Sequence, residues 1–148
     1  MKKKTASALN GYLANVAVVY FKLHCLHWNV VGRDFLPVHA WLEELYERFA
    51  ALLDELAECL KMYGEQPLAT MKAYLDAATV READAEELRS DTALSMVQED
   101  LRTLRSQAEA IRAAAEEEGL HAVAAQMDGH LADYQKTLWL VKATLKGK

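Results

Sequence analysis

Five residues with metal-binding side chains recur at short intervals between positions 27 and 58. His39 and Glu43 are four residues apart. Asp54 and Glu58 are also four apart, and His27 lies closer to the N-terminus. Imidazole together with several carboxylates is a ligand set that suits Fe²⁺, Mn²⁺ or Zn²⁺ better than Cu⁺. A site with so few protein ligands leaves coordination positions open to oxygen species, so the pattern favours redox chemistry over purely structural metal binding.

The four residues from His39 to Glu58 would share one face of an α-helix, but they cannot share one metal ion within that helix. With 100° per residue, their side chains fall within an arc of about 100°. Along the axis, Glu43 and Asp54 are about 16 Å apart, whereas metal–ligand bonds are only about 2 Å long. Either the two pairs serve separate purposes, or a second copy of the helix runs antiparallel across a two-fold axis. In the second case two chains would share each site.

The rest of the sequence predicts the helices that would position these residues. Apolar residues recur at spacings of three and four, and Gly32, Gly64 and Gly119 stand where helices are expected to end. The predicted long helices cover 6–31, 36–63, 92–118 and 120–145, with a short helix at 68–78 and a polar surface connection at 79–91. This pattern predicts an all-α, ferritin-like four-helix bundle with the short helix in the long crossover between helices two and three. The 148 residues fit one domain.

Composition and charge exclude several classes of protein. The formal net charge is −5, so the folded body offers little positive surface for nucleic acid and is compatible with collecting cations. No apolar run approaches the ~20 residues of a membrane span. The basic start MKKK is not followed by the apolar segment of a secretory signal. We therefore expect a cytoplasmic protein.

Other residues with reactive side chains are better explained by packing. Cys25 and Cys59 form no C-x-x-C motif, which suits a reducing compartment, and both are expected to be buried thiols. His24 is expected to make packing or local polar contacts. Glu118-x-x-His121 matches the Glu-x-x-His motif of diiron bundles. It occurs once and spans a predicted helix break, whereas those bundles need two such motifs on intact helices.

A long block of the sequence carries a family signature. It reads KLHCLHWNVVGRDFLPVHAWLEELYERFAALLDELAECL, and it is followed by GEQPLATMKAYLDAATV in the crossover and KTLWLVKATL in the last helix. These segments closely resemble the Dps family, the DNA-binding proteins from starved cells, also called mini-ferritins. The resemblance implies a hollow dodecamer that oxidises Fe²⁺, preferably with hydrogen peroxide, at ferroxidase centres on its two-fold interfaces. It also implies storage of the ferric mineral in the cavity and protection of the cell from oxidative stress.

The resemblance also implies which residues bind iron. The iron ligands, which would also be the catalytic residues, would be His27, His39 and Glu43 from one subunit and Asp54 and Glu58 from the neighbouring subunit. This arrangement agrees with the two-fold alternative that helix geometry leaves open. Asp is common in the family where this chain has Glu43, and the extra methylene changes the reach of that carboxylate. Fe²⁺ would be the substrate, and other divalent metals are expected to occupy the same site.

DNA binding is the alternative function that the resemblance raises. Family members that bind DNA often use flexible basic tails, and residues 1–4 supply Lys2, Lys3 and Lys4 ahead of the predicted first helix, with KGK at the other end of the chain. The acidic body opposes these charges, so any binding should be sensitive to salt. The alternative is a nucleoid-associated DNA-protection protein with an incidental metal site. The HWN block argues against a metal-free interaction module.

Overall fold

Five helices and two very short strands make up residues 1–147, the part of the chain that the structure, a computed structural model, describes. In chain order they are α1 (Lys3–Asn29), β1 (Val30–Val31), α2 (Phe35–Met62), α3 (Met71–Ala77), β2 (Leu88–Arg89), α4 (Ser90–Glu118) and α5 (His121–Leu145). The ferritin-like bundle predicted from the sequence is confirmed, with the short helix in the crossover. Lys148, the end of the expected KGK tail, lies outside the described residues.

Two helical hairpins form the bundle. α1 packs against α2 and α4 packs against α5, while contacts between α1 and α4 join the two hairpins. The core is a set of large side chains less than 2% exposed, including Leu9, Tyr12, Leu13, Leu23, Leu26, Leu42, Leu56, Leu60, Leu101, Leu104, Ile111 and Met127. Burying one such aliphatic side chain contributes about 1.5–3 kcal/mol, so burial of this apolar stripe stabilises the helices more than intrinsic propensity does. Within residues 1–147, no helix combines the length and the apolar character that a membrane span requires.

Glycines in the left-handed region end α2 and α4 where the sequence predicted. Gly64 has φ of +77° and Gly119 has φ of +70°, a conformation that costs glycine little because it has no Cβ. After Gly119, the backbone N–H of Leu120 donates to the carbonyl of Ala115 at 2.8 Å. This bond satisfies a carbonyl in the last turn of α4, and the chain can reverse directly into α5.

A buried asparagine ties the long crossover to the bundle. The side-chain oxygen of Asn15 accepts hydrogen bonds from the backbone N–H groups of Thr79 (2.7 Å) and Val80 (3.1 Å). Its amide nitrogen donates to the Thr79 hydroxyl and to the Gln107 side chain, both at 2.9 Å. Asn15 is fully buried, and these four bonds offset the cost of removing its amide from water. The crossover is therefore anchored from α1.

The sequence pattern did not predict the two strands. β1 and β2 pair in parallel, with Val30 opposite Leu88 and Val31 opposite Arg89. Part of the segment expected to be a plain surface connection therefore pairs with the turn between α1 and α2. The Ser90 hydroxyl adds a hydrogen bond to the Asp34 carboxylate at 2.5 Å. Together these contacts fix the turn that leads from α1 into α2.

The first helix begins earlier than expected. The sequence pattern placed all three N-terminal lysines before it, but α1 begins at Lys3, so that prediction was wrong for Lys3 and Lys4. The carbonyl of Lys2 accepts the N–H groups of Thr5 and Ala6, each at 3.1 Å, which starts the helix. The Lys2 N–H donates to Glu118 at 2.8 Å. The Thr5 hydroxyl donates to the same carboxylate, so the basic start of the chain is bound to the end of α4.

Candidate metal centre

The structure brings His27 and His39 together as a stacked pair. His27 lies in the last turn of α1, and His39 lies in the second turn of α2. Their ring centroids are 3.6 Å apart and the ring planes differ by 12°. His27 is buried and His39 is half-buried. The short turn between the helices, held by β1 and β2, is what places the two rings against each other.

Reciprocal hydrogen bonds determine which nitrogen of each imidazole carries a proton. Nδ1 of His27 bonds to the backbone carbonyl of His39 at 2.7 Å, and Nδ1 of His39 bonds to the carbonyl of His27 at the same distance. A carbonyl oxygen only accepts, so each Nδ1 must be the protonated nitrogen. In the neutral ring Nε2 then keeps its lone pair, which is the form in which histidine binds metals. The pair is therefore arranged to offer two Nε2 donors.

Glu43 follows His39 by one helical turn and is held on one side. The Tyr46 hydroxyl donates to Oε1 of Glu43 at 3.2 Å. Desolvation, followed by this hydrogen bond, raises the pKa of the Tyr46 phenol, which keeps it protonated and able to donate. Glu43 itself is exposed. One carboxylate oxygen of Glu43 is thus oriented by Tyr46.

Asp54 and Glu58 lie on the same helix but well away from the histidine pair. Both side chains are exposed, and within residues 1–147 neither has a hydrogen-bond or ion-pair partner. Eleven residues of α2 separate Asp54 from Glu43, a rise of about 16 Å. In the described part of one chain, no three His, Cys, Asp or Glu side chains come close enough to hold one metal ion. The structure brings His27 and His39 together. Within residues 1–147 Glu43 does not complete a three-ligand group with them, and Asp54 and Glu58 remain a separate pair on α2.

Aromatic side chains surround the histidine pair. The His24 ring stacks on Tyr46 with centroids 3.8 Å apart, and Trp28 lies 5.5 Å from His24. Tyr46 in turn meets His27 edge-on at 5.3 Å. Desolvation, and then the proximity of His27, lowers the pKa of His24. His24 therefore has the packing role expected from the sequence, although Trp28 remains 62% exposed in the single chain.

The other candidate ligands do not form a metal site. Both cysteines are free thiols. Cys25 is only half-buried and contacts the carbonyl of Asp84 at 3.6 Å, whereas Cys59 is buried and burial raises the pKa of its thiol. The carboxylate of Glu118 bonds the start of α1, and His121 is exposed at the start of α5. In this motif, Glu118 therefore contacts the start of α1, whereas His121 lies on the surface.

Sequence reasoning missed one polar network inside the bundle. The Tyr12 hydroxyl bonds to Nδ1 of His130 at 3.1 Å and to the Tyr134 hydroxyl. Burial raises the pKa of both phenols and lowers that of His130. Nε2 of His130 is buried without a hydrogen-bond partner. The members lie 118 and 122 residues apart in the chain, and each occupies an ordinary helical core position, so no local spacing could have revealed them.

The bundle, its crossover helix and the carboxylate-rich α2 define a class of protein. Residues 6–147 match the family model of the ferritin-like domain. The Dps protein of Vibrio cholerae O1, a member of a broad superfamily of ferritin-like diiron-carboxylate proteins, superposes with a TM-score of 0.92 at 30% identity, covering 97% of this chain and 89% of that one. This chain is therefore a ferritin-like protein.

Sequence and structural comparisons narrow the class to one family. The DNA protection during starvation protein of Helicobacter pylori is 34% identical over 142 residues, which span 96% of this chain and 99% of the relative. The crystal structure of a Dps protein from Bacillus brevis matches with a TM-score of 0.92 at 35% identity, covering 98% and 99% of the two chains. The chain belongs to the Dps family, as its sequence motifs indicated.

Proposed function

We propose that the protein is a ferroxidase, an oxidoreductase acting on metal ions, that oxidises Fe²⁺ and stores the ferric product inside a hollow oligomer. The observation that carries the proposal is the stacked pair His27 and His39, in which each Nδ1 bonds to a carbonyl and each Nε2 keeps its lone pair. Membership of a ferritin-like family is consistent with iron as the substrate. We place this activity in the cytoplasm, in a dodecamer of the kind that the family resemblance implies.

We propose that each centre is shared by two chains. His27, His39 and Glu43 would come from one subunit, and Asp54 and Glu58 from its neighbour across a two-fold axis. The support is the spacing along α2, because the ~16 Å between Glu43 and Asp54 exceeds any coordination bond. An antiparallel second copy of α2 would set each histidine-bearing half opposite an acid-bearing half. Two identical centres would then form at each interface.

Each residue type would have a distinct chemical role. The two imidazoles supply neutral donors that bind Fe²⁺ without adding charge. The carboxylates of Glu43, Asp54 and Glu58 add negative charge, which stabilises Fe³⁺ more than Fe²⁺ and so favours oxidation. With hydrogen peroxide as the oxidant, two Fe²⁺ ions each lose one electron, the O–O bond breaks and two hydroxide ions form. Consuming peroxide and Fe²⁺ together would protect the cell from oxidative damage.

The test is the double variant Asp54→Asn/Glu58→Gln. Both changes keep the side-chain shape and remove charge, and both residues are exposed, so the fold should persist. We expect the rate of Fe²⁺ oxidation by added peroxide to fall at least tenfold, while size-exclusion chromatography gives an unchanged oligomer. The matched control is Glu44→Gln/Glu47→Gln, which removes two exposed carboxylates from the same helix. An unchanged rate in the first variant would remove these acids from the site.

DNA protection is the second candidate function. Relatives of this chain are named DNA protection during starvation proteins, and Lys2, Lys3 and Lys4 are all exposed at the start of α1. Against this, the net charge of −5 per chain repels phosphates, and the link between Lys2 and Glu118 limits how far the lysines reach. Binding would therefore be weak and sensitive to salt. If it occurs, the protein would be nucleoid-associated.

A gel-shift assay on duplex DNA at low and moderate salt would test this second function. Replacing the three lysines at 2–4 by glutamine removes charge while leaving the helix start in place. The matched control replaces the exposed Lys61, Lys136 and Lys142 instead. If the N-terminal lysines make the contact, only the first variant loses the low-salt shift, and its ferroxidase rate stays normal. Equal shifts by both variants would rule out the N-terminal lysines as the DNA contact.

A further inference from the structure

A cleft between α2 and α5 lies apart from the candidate metal centre. It has a volume of about 220 Å³. Its polar lining comprises Arg48 and Glu55 from α2 and His130, Asp133, Tyr134 and Thr137 from α5. Apolar side chains of α2 and α4 close its inner end, including Leu45, Phe49 and Leu101. All of the described lining residues belong to one chain, so the cleft is formed without a partner chain.

A buried imidazole faces this cleft with one nitrogen unpaired. The His130 side chain is only 8% exposed. Its Nδ1 is fixed by the Tyr12 hydroxyl at 3.1 Å, and its Nε2 is buried with no hydrogen-bond partner. Oε2 of Glu55 lies 3.7 Å from Nε2, which is within ion-pair range but too long for a hydrogen bond. Buried polar atoms are nearly always paired, so an orphan at a cleft points to a ligand.

The separation of these two atoms fits a metal ion between them. Ions such as Zn²⁺ bind histidine nitrogen and carboxylate oxygen at about 2.0–2.2 Å. Two such bonds span 3.7 Å when the angle at the metal is about 120°. We propose that His130 and Glu55 hold a divalent first-row transition-metal ion in this cleft, with water completing its coordination. Imidazole with carboxylate is the donor set that such ions prefer.

The hydrogen-bond network is compatible with Nε2 as a donor to metal. If His130 Nδ1–H donates to the Tyr12 oxygen, then Tyr12 can donate onward to Tyr134, and Nε2 keeps its lone pair. The reverse arrangement would leave a buried Nε2–H group with no acceptor within hydrogen-bond distance, since Glu55 Oε2 is 3.7 Å away. Burial also lowers the pKa of His130, which favours the neutral ring. In metal-bound histidines, a hydrogen bond to the nitrogen that does not bind the metal commonly orients the ring. Here Tyr12 makes that bond to Nδ1 of His130.

The charge of the cleft favours a cation over an anion. Glu55 and Asp133 are both acidic, and Arg48 supplies the only opposing charge among the described lining residues. The Arg48 guanidinium also donates to the Thr137 hydroxyl at 3.5 Å. No third His, Cys, Asp or Glu within residues 1–147 completes a closed cage. The site would therefore be open and hydrated, and weaker than a four-ligand structural zinc site.

Zinc binding to the intact oligomer tests the proposal. We expect crystals soaked in Zn²⁺ to give an anomalous peak within about 2.3 Å of both His130 Nε2 and a Glu55 oxygen. In calorimetric titrations, the wild-type protein should bind one more Zn²⁺ per chain than the Glu55→Gln variant. His130→Asn should lose the same ion, since asparagine can replace Nδ1 as partner of Tyr12 but has no counterpart of Nε2. Glu47→Gln, an exposed acid of α2 outside the cleft, is the matched control and should bind as wild type does.

Three results would overturn this assignment. The first is a water molecule bridging His130 and Glu55 in zinc-soaked crystals. The second is a peak in the crystal with no loss of stoichiometry in Glu55→Gln, which would mean binding at crystal concentration only. The third is an equal loss of bound Zn²⁺ in Glu55→Gln and in Glu47→Gln, because removing any acidic charge from α2 would then explain the loss. The inference does not rest on the proposed ferroxidase, because a zinc peak in the cleft and a zinc peak at His27 and His39 would be scored separately in the same crystals.

Discussion

The proposed shared centre makes a quantitative prediction about mixed oligomers. One variant, His27→Asn/His39→Asn, keeps a polar atom near each Nδ1 position and removes both Nε2 donors. The other, Asp54→Asn/Glu58→Gln, removes the acids. Each reassembled alone should oxidise Fe²⁺ at a small fraction of the wild-type rate, because every centre lacks one half of its ligands. Mixed before reassembly, the two variants should recover activity that neither has alone.

The size of the recovery follows from the geometry. In the proposed centre, the rise of about 16 Å along α2 would keep the acids of one chain away from its own histidines, so a two-fold pair would be needed to complete it. In a mixed pair, one centre combines the intact histidines of one chain with the intact acids of the other. The opposite centre of the same pair carries both defects. With random pairing of equal amounts, half of the pairs are mixed, so about a quarter of wild-type activity should return.

The assay needs proof of mixing and a measure of refolding yield. The variants are unfolded together in guanidinium chloride and reassembled, and native mass spectrometry confirms that both chains enter the same oligomers. Ferric product is then followed by its near-ultraviolet absorbance after addition of Fe²⁺ and peroxide. A mixture of the histidine variant with wild type calibrates the yield, since about half of the activity should remain. If co-assembly is confirmed and the mixed variants stay as inactive as each alone, the shared-centre model is refuted.

Three further predictions concern the fold. Lys22→Met leaves the buried Asp100 carboxylate without the ammonium group that lies 2.8 Å away. In a chemical denaturation assay, this variant should lower the free energy of unfolding by about 3–5 kcal/mol. The double variant Lys22→Met/Asp100→Leu should recover most of that loss. Gly129→Ala adds a methyl group to an exposed helical site with nothing within 4 Å and should raise the free energy of unfolding by about 0.5–1 kcal/mol. Hydrogen bonds from the Thr5 hydroxyl and a backbone N–H lower the pKa of Glu118. The contribution of Glu118 to stability is therefore complete above the ordinary glutamate pKa of about 4.3, and it is lost as pH falls through the lower folded-state pKa. The protection factors of amide hydrogen exchange in the first turn of α1, corrected for the intrinsic rate, should therefore fall in that acidic range. Glu118→Gln should remove this loss of protection.

The helices were predictable because their information is local. Apolar periodicity gave four long helices and glycines gave two of their ends, and these signals act within a few residues of one another. The start of α1 was misplaced because it depends on Glu118, which lies at the other end of the bundle and binds Lys2 and Thr5. The strands were missed because a two-residue ladder has no detectable period. Its pairing of Val30 with Leu88 depends on the crossover reaching the α1–α2 turn.

The candidate centre was predictable only in part. Spacing placed the acids and His39 on one face of α2, and His27 was a candidate fifth ligand from the end of the first helix. The reciprocal bonds between the two histidines could not be foreseen, because they depend on the exact path of the turn between α1 and α2. The same limit applies more strongly to His130, whose partner Tyr12 comes from the other end of the chain. Contacts between distant segments follow from how the helices pack, which periodicity alone does not specify.

The two proposed sites differ in how they depend on assembly. In the proposed centre, His27, His39 and Glu43 would supply only half of the ligands from one chain, so iron oxidation would require an intact two-fold interface. His130 and Glu55 lie in the same chain, and their cleft would bind a cation whether or not the interface forms. Dissociating the oligomer without unfolding the chain should therefore abolish oxidation while zinc binding in the cleft persists. A shared centre would thus restrict the reaction of Fe²⁺ with peroxide to assembled oligomers, in which the ferric product can be enclosed.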